Sequence, residues 1–162
     1  MIENLKLLFK DYANAWQTND IDKMVSFWDA DEPQPFYKAE EILEYYHDLD
    51  TIKAYWEHNH QYIESIRLKF FDIRFKPLPG GYGIGFAKMN WYTKFISHQK
   101  LETAISNHVS KEMGGDNHVL ALVKDTPAGL KFVGWSETPD APLTYMKRLY
   151  EQVANPKLDK DL

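Results

Sequence analysis

Six histidines, a scatter of carboxylates and no cysteine are the means this 162-residue chain has for moving protons or attacking a substrate. His60 is the first candidate general acid or base, because imidazole alone among side chains has an unperturbed pKa near the operating pH, about 6.5. The plainer role for a histidine beside apolar helix neighbours is a hydrogen-bonded filler. Glu137 and Asp140 end the last strand-like segment. A carboxylate in an aromatic setting there would be pushed up by desolvation and would exchange protons near neutrality; simple exposure is the alternative. Tyr46 and Tyr92 offer hydroxyls to a developing oxyanion, the interaction that usually dominates such catalysis, or else anchor rings structurally. Asp29, Asp31 and Glu32 cluster after a short helix and read either as a solvated acidic turn or as groups facing a pocket.

Other chemistries are disfavoured by spacing. His58 and His60 form an H-x-H pair, but on a helix two such rings diverge by about 200°, so a shared metal is not expected. His47, His98, His108 and His118 show no ligand spacing. The run Gly80-Gly81-Tyr82-Gly83-Ile84-Gly85 lies between two strand-like segments and lacks the strand-to-helix context of a phosphate loop. No G-x-S-x-G nucleophile motif occurs. Without cysteine there is no thiolate catalysis, disulfide or cysteine-held metal centre. The chemistry expected is therefore proton transfer with no bound cofactor and no metal.

The elements that would position these groups follow from periodicity. Leu5, Leu8, Phe9, Tyr12, Ala15 and Trp16 form one face of a helix over 3–18, and Asp20 caps a second short helix that ends near Trp28. Pro35-Phe36-Tyr37-Lys38 reads as a short extended piece. Asp50 is the expected cap of a third helix carrying Ile52, Tyr55, Trp56, Asn59 and Ile63. From Ser65 the period is two, and its phase flips at Phe70-Phe71, the mark of a β-bulge. Leu78-Pro79-Gly80-Gly81 turns the chain into a long strand over 82–95. Residues 101–113 fit a helix capped by Gly114-Gly115 slightly better than a strand. Strands over 118–124 and 130–138 and a last amphipathic helix over 143–153 complete the list.

Composition points to one α+β domain over 1–155 with a frayed tail over 156–162, since one core can serve a chain of this length. Scattered basic residues and a formal charge of −5 remove the footprint of a nucleic-acid binder. No run of about 18 apolar residues offers a membrane span, and Met1-Ile2-Glu3-Asn4 lacks a signal-peptide pattern, so a cytoplasmic location is expected. Aromatic residues reach 15%, more than filling a core requires, so rings either enrich the core or line a pocket.

The passage Trp28-Asp29-Ala30-Asp31, the run Tyr45 to Glu57, and the closing segment Lys131 to Pro139 resemble the SnoaL-like branch of the nuclear-transport-factor-two and ketosteroid-isomerase superfamily. The resemblance spans about residues 3 to 140. It implies a cone-shaped fold in which N-terminal helices sit within a strongly curved antiparallel sheet, here with an added C-terminal helix. It also implies cofactor-free isomerases, dehydratases, cyclases, hydrolases or lyases, or non-catalytic binding domains; fold does not choose among them. The long connection 95–117 and the helix after Pro142 depart from the usual outline and would either close the mouth of the cone or cover a sheet edge or partner.

In such a cone the inner sheet face and one side of the third helix line the cavity. Along 82–95 the face carrying Ile84, Phe86, Lys88, Asn90 and Tyr92 passes from apolar to polar, as a pocket with a dry end requires; an outer face becoming solvated is the alternative. On the third helix Tyr55, Asn59 and Tyr62 form a stripe. The expected catalytic set is thus His60, Tyr46, Tyr92, Asn90 and Glu137, and the expected substrate-binding set is Trp28, Tyr55, Trp56, Asn59, Phe86 and Lys88. The reaction expected is acid–base lyase, dehydratase or isomerase chemistry on a small aromatic or polycyclic molecule, such as loss of water or formaldehyde from a phenolic compound. The alternative is a non-catalytic ligand-binding or interaction domain. The expected partners are an aromatic substrate and a second copy of the chain, joined through an outer sheet face that would carry Trp91 and Trp135.

Overall fold

The computed structural model describes residues 1–96 and 112–140. Helix α1, Ile2–Gln17, buries Leu5, Leu8, Phe9, Tyr12 and Ala15, the apolar stripe its spacing predicts. The chain then turns at Asn19, whose φ is 56°. Asp20 caps α2, Ile21–Ser26, by accepting from the Lys23 amide at 2.9 Å. After β1, Phe36–Lys38, comes α3, Leu49–His60. Its cap is Asp48, not Asp50. Asp48 holds the extended conformation that an N-cap needs, and its carboxylate accepts from the Thr51 amide at 2.7 Å and the Thr51 hydroxyl at 2.8 Å. Asp50 already lies inside the first turn.

A curved, unclosed sheet of five strands wraps these helices, in the order β1-β5-β4-β3-β2. Strands β2 (Ile63–Pro77), β3 (Tyr82–Phe95), β4 (Glu112–Thr126) and β5 (Gly129–Pro139) are antiparallel neighbours, while β1 joins β5 in parallel. The expected bulge is present: pairing of β2 with β3 shifts between Phe71 and Arg74, and Asp72 takes a φ of 50°. Gly114 and Gly115 do not cap a helix. They lie within β4 opposite Tyr92 and Trp91, and a Cβ at Gly114 would stand 2.5 Å from the Trp91 carbonyl oxygen. The rest of the 101–113 expectation, and the helix and tail after Pro142, lie outside the described residues.

The curvature divides the interior into a packed end and a hollow end. Near the turn between β2 and β3, α1 presses so closely on the sheet that a Cβ at Gly85 would meet Leu5 at 3.1 Å and Phe9 at 3.3 Å. The residues β3 turns inward there are small, Gly83, Gly85 and Ala87, and Gly83 is crowded by the Phe75 ring of the neighbouring strand. Toward the other end the same face carries Met89, Trp91, Thr93 and Phe95, and these meet open space. Between the two ends Tyr12 sets its ring against Trp56, Phe132 and Trp135 at centroid distances of 6.4, 5.0 and 5.4 Å. Among the described residues no helix is long and apolar enough to cross a membrane.

Candidate active site

The hollow end is a cavity of about 550 Å³. Tyr12 and Trp16 of α1 form one wall, and Tyr55, His58 and Asn59 of α3 with Tyr62 form a second. The inward residues of β2 and β3 face them, and Trp135 and Glu137 come from the end of β5. The segment after β1 adds Ala39, Glu40 and Glu41. Rings dominate this lining, and among its described residues the ionisable groups besides tyrosines are three carboxyls and His58.

Glu137 is set by its neighbours. Its Oε1 accepts from the Trp135 indole N–H at 2.6 Å, and its Oε2 from the Asn117 amide at 3.2 Å. Asn117 is buried and is itself steadied by Trp91, whose indole N–H donates to Asn117 Oδ1 at 3.4 Å. The part of Glu137 left uncovered faces the cavity, with protein close on its other sides. Burial therefore pushes its pKa up to about 7, and the nearby Glu41 and Glu40 carboxylates push the same way against the two hydrogen bonds. Glu40 is also raised, first by burial and then by Glu41. The Tyr55 hydroxyl donates to Glu41 Oε1.

The phenols stay protonated. Burial raises Tyr12, Tyr37 and Tyr55 well above the usual tyrosine range, and the charge of Glu137 adds to each. The Trp16 and Trp28 indoles approach the Tyr12 hydroxyl without hydrogen-bond geometry, so that hydroxyl is buried and unpartnered. The arrangement combines a carboxyl that gains and loses its proton near neutrality with phenolic donors on the same cavity wall. Those are the parts needed to take a proton from carbon and stabilise the oxyanion that results.

Of the residues named from sequence, Glu137, Tyr55 and Asn59 meet at this cavity, together with Tyr62. His60 does not line it. Its ring is buried against Trp16 at 4.9 Å, Nδ1 donates to the Trp56 carbonyl at 2.8 Å, and burial lowers its pKa, which keeps it neutral. The cavity histidine is His58, two residues earlier and about 200° round the helix. Asn90 and Tyr92 lie on the outer sheet face, Asn90 bonded to Asp116 at 2.8 Å and Tyr92 engaged with Glu112 and covered by Arg67. Phe86 and Lys88 share that outer face, while Trp91 and Trp135, expected there, line the cavity instead. Tyr46 pairs through its backbone with Tyr37 and packs on Tyr55 behind the cavity wall. Trp28 and Trp56 are core residues, 3% and 0% exposed.

Asp29 and Glu32 form an ion cluster with Lys124 at 2.8 and 3.5 Å, away from the cavity, and Asp140 stands 3.7 Å from His118. Lys124 holds the Asp29 carboxyl below its ordinary range. Sequence reasoning missed Glu40, Glu41, Asn117 and Tyr37. The first two sit in an aperiodic connection where only the fold reveals proximity. Asn117 was readable as the first buried position of β4, on the face of Val119, Ala121 and Val123. Among the described residues, no group of three His, Cys, Asp or Glu side chains is placed to hold a metal ion.

Helices held within a curved, unclosed five-stranded sheet, with the cavity at one end, form a cone fold like that of solved structures described as nuclear-transport-factor-two-like. A candidate scytalone dehydratase from Novosphingobium aromaticivorans superposes with a TM-score of 0.71 at 8% identity, over 86% of this chain and 83% of that one. A candidate aromatic ring hydroxylase from the same organism gives 0.70 at 14% identity, over 86% and 88%. A candidate dehydratase of the same superfamily from Streptomyces avermitilis gives 0.69 at 13% identity, over 87% and 97%. No protein-family model and no curated protein matches the sequence.

Proposed function

We propose that this chain is a cofactor-independent acid–base catalyst, a dehydratase or related lyase or isomerase, acting on a small aromatic molecule inside the cone. The observation that carries this reading is Glu137: a carboxyl in a ring-walled cavity whose pKa lies near 7. A group so poised can take a proton at one moment and return it at the next. Similar folds include proteins described as dehydratases, which supports the class without fixing the substrate.

The reaction follows from the cavity's groups. The Glu137 carboxylate removes a proton α to a carbonyl, and the electron pair moves onto the carbonyl oxygen as an enolate. The Tyr37 hydroxyl and the Asn59 amide, both of residues on the cavity wall, supply donors to that oxygen, while the Tyr55 hydroxyl is given to Glu41. Collapse of the enolate breaks the β carbon–oxygen bond. Glu137 returns its proton to the departing hydroxide, so water leaves, a conjugated double bond remains and the carboxylate is restored.

The test uses the aldol of benzaldehyde and acetone, whose dehydration to the conjugated enone is followed by absorbance. The expected kcat/KM rises with pH through about 7, as Glu137 ionises. Glu137→Gln should lower it by roughly 10²-fold or more, the usual contribution of a positioned base. Turnover that is unchanged in Glu137→Gln would remove the assignment. Absence of turnover with a panel of such aldols, alongside tight binding of the product enone, would favour a ligand-binding domain.

A further inference from the structure

We propose that the natural occupant of the cavity is a cation, a protonated amine carried on an aromatic or planar apolar body. The proposal rests on reading this cavity as the functional site, and it names the class of ligand that site takes. Three carboxylates, Glu40, Glu41 and Glu137, line the cavity, and no lysine or arginine is among its described lining residues. Of the basic groups nearby in the chain, Lys94 pairs with Glu64 at 2.6 Å, Lys53 with Asp22 at 2.8 Å, Arg67 lies over the Tyr92 ring, and Lys38 donates to the Ala39 carbonyl at 3.3 Å rather than to a carboxylate.

What the carboxylates do have are neutral donors, the Trp135 and Trp91–Asn117 chain for Glu137 and the Tyr55 hydroxyl for Glu41. Neutral donors satisfy lone pairs but leave the charge in place. The mutual repulsion is visible in Glu137 and Glu40, each pushed up in part by Glu41. An anion would add to that repulsion and a neutral ligand would leave it unchanged; a cation offsets it.

The walls point the same way. Rings of Trp16, Tyr37, Tyr62, Trp91 and Trp135 line the space, and aromatic rings attract ammonium groups as well as flat apolar bodies. The volume, about 550 Å³, admits a body of one or two rings with an aminoalkyl arm.

Three probes of nearly equal shape test the idea on the full-length protein: phenethylamine, phenethyl alcohol and hydrocinnamate, titrated by tryptophan fluorescence and calorimetry above pH 7, where Glu137 is ionised. The amine should bind about tenfold or more tighter than the alcohol, the acid more weakly than either, and added salt should narrow the gap. Glu41→Gln, at an exposed position that should leave folding intact, should reduce the amine's advantage, and Glu41→Gln with Glu137→Gln should abolish it. Equal binding of amine and alcohol, tighter binding of the acid, an advantage that survives both substitutions, or no binding of any probe would each overturn the proposal. Should amine and alcohol bind alike while the benzaldehyde–acetone aldol is still dehydrated through Glu137, the charge preference falls and the acid–base reading stands. Amine-selective binding with no Glu137-dependent turnover supports the charge preference and removes the acid–base reading.

Discussion

A carboxyl held near neutrality by its surroundings leaves its mark on stability as well as on proton transfer. Glu137 is raised from 4.5 to about 7, so the folded state binds its proton more tightly than the unfolded chain does. Stability contributed by this group is therefore present at low pH and is lost as pH rises through about 7. Glu137→Gln removes the titration while keeping most of the shape. The difference in unfolding free energy, variant minus wild type, should move in the variant's favour by roughly 2–3 kcal/mol between about pH 4 and pH 8. Urea unfolding of both proteins at the two pH values checks this, and a difference independent of pH would sink it. An aromatic setting for Glu137 was legible in the sequence from Phe132-Val133-Gly134-Trp135 just before it, though the same reading named Asp140, which stands by His118 instead. His60 misled because chemistry alone recommended it. Which face of α3 a side chain occupies depends on where α1 packs, and Trp16 fills the space beside His60.

At the scale of elements, most boundaries follow from local chemistry, and the errors have local causes. Two aspartates, Asp48 and Asp50, compete for the start of α3, and only the backbone conformation at Asp48 lets its carboxylate reach the Thr51 amide. Asp48→Ala should cost about 1 kcal/mol, as loss of an N-cap usually does, whereas Asp50→Ala should change stability by a few tenths. Thermal unfolding of the two variants separates the assignments; an equal or larger loss for Asp50→Ala would reverse them. The faces of β3 were read in the wrong sense for a steric reason. Hydrophobicity suggests that Ile84 and Phe86 point inward and that glycine and alanine do not. Yet Leu5 and Phe9 of α1 press so close on Gly85, and the Phe75 ring of β2 so close on Gly83, that these two inward positions take no side chain. The larger residues are displaced to the outside, and the Asn90 and Tyr92 positions go with them. Single-strand periodicity gives the alternation but not its sign, which here is set by a helix some 80 residues earlier in the chain.

For the whole molecule, that displacement has a consequence on the outer surface. Phe71, Phe86 and Leu120 remain 40%, 40% and 39% exposed, and Phe86 stands directly opposite Leu120 across β3 and β4. An apolar strip of this kind on a sheet face is costly in water and favours a covering partner. A second copy of the chain is the occupant expected, since a two-fold contact sets the strip against itself. The strip also has residues of both signs beside it, Lys88 opposite Phe71 and, in the next row across Asn90, Lys69 and Asp116, which an oppositely directed copy would bring together. Sedimentation of the purified protein should therefore show a species of twice the 19.0 kDa chain mass. Leu120→Lys, placing like charges face to face across the contact, should shift it to the single chain without altering phenethylamine affinity, because Leu120 lies on the opposite side of the sheet from the cavity. A wild-type protein that sediments as one chain at all concentrations would leave the strip without this partner. A Leu120→Lys variant that loses ligand binding along with association would mean that the cavity is completed only in the pair.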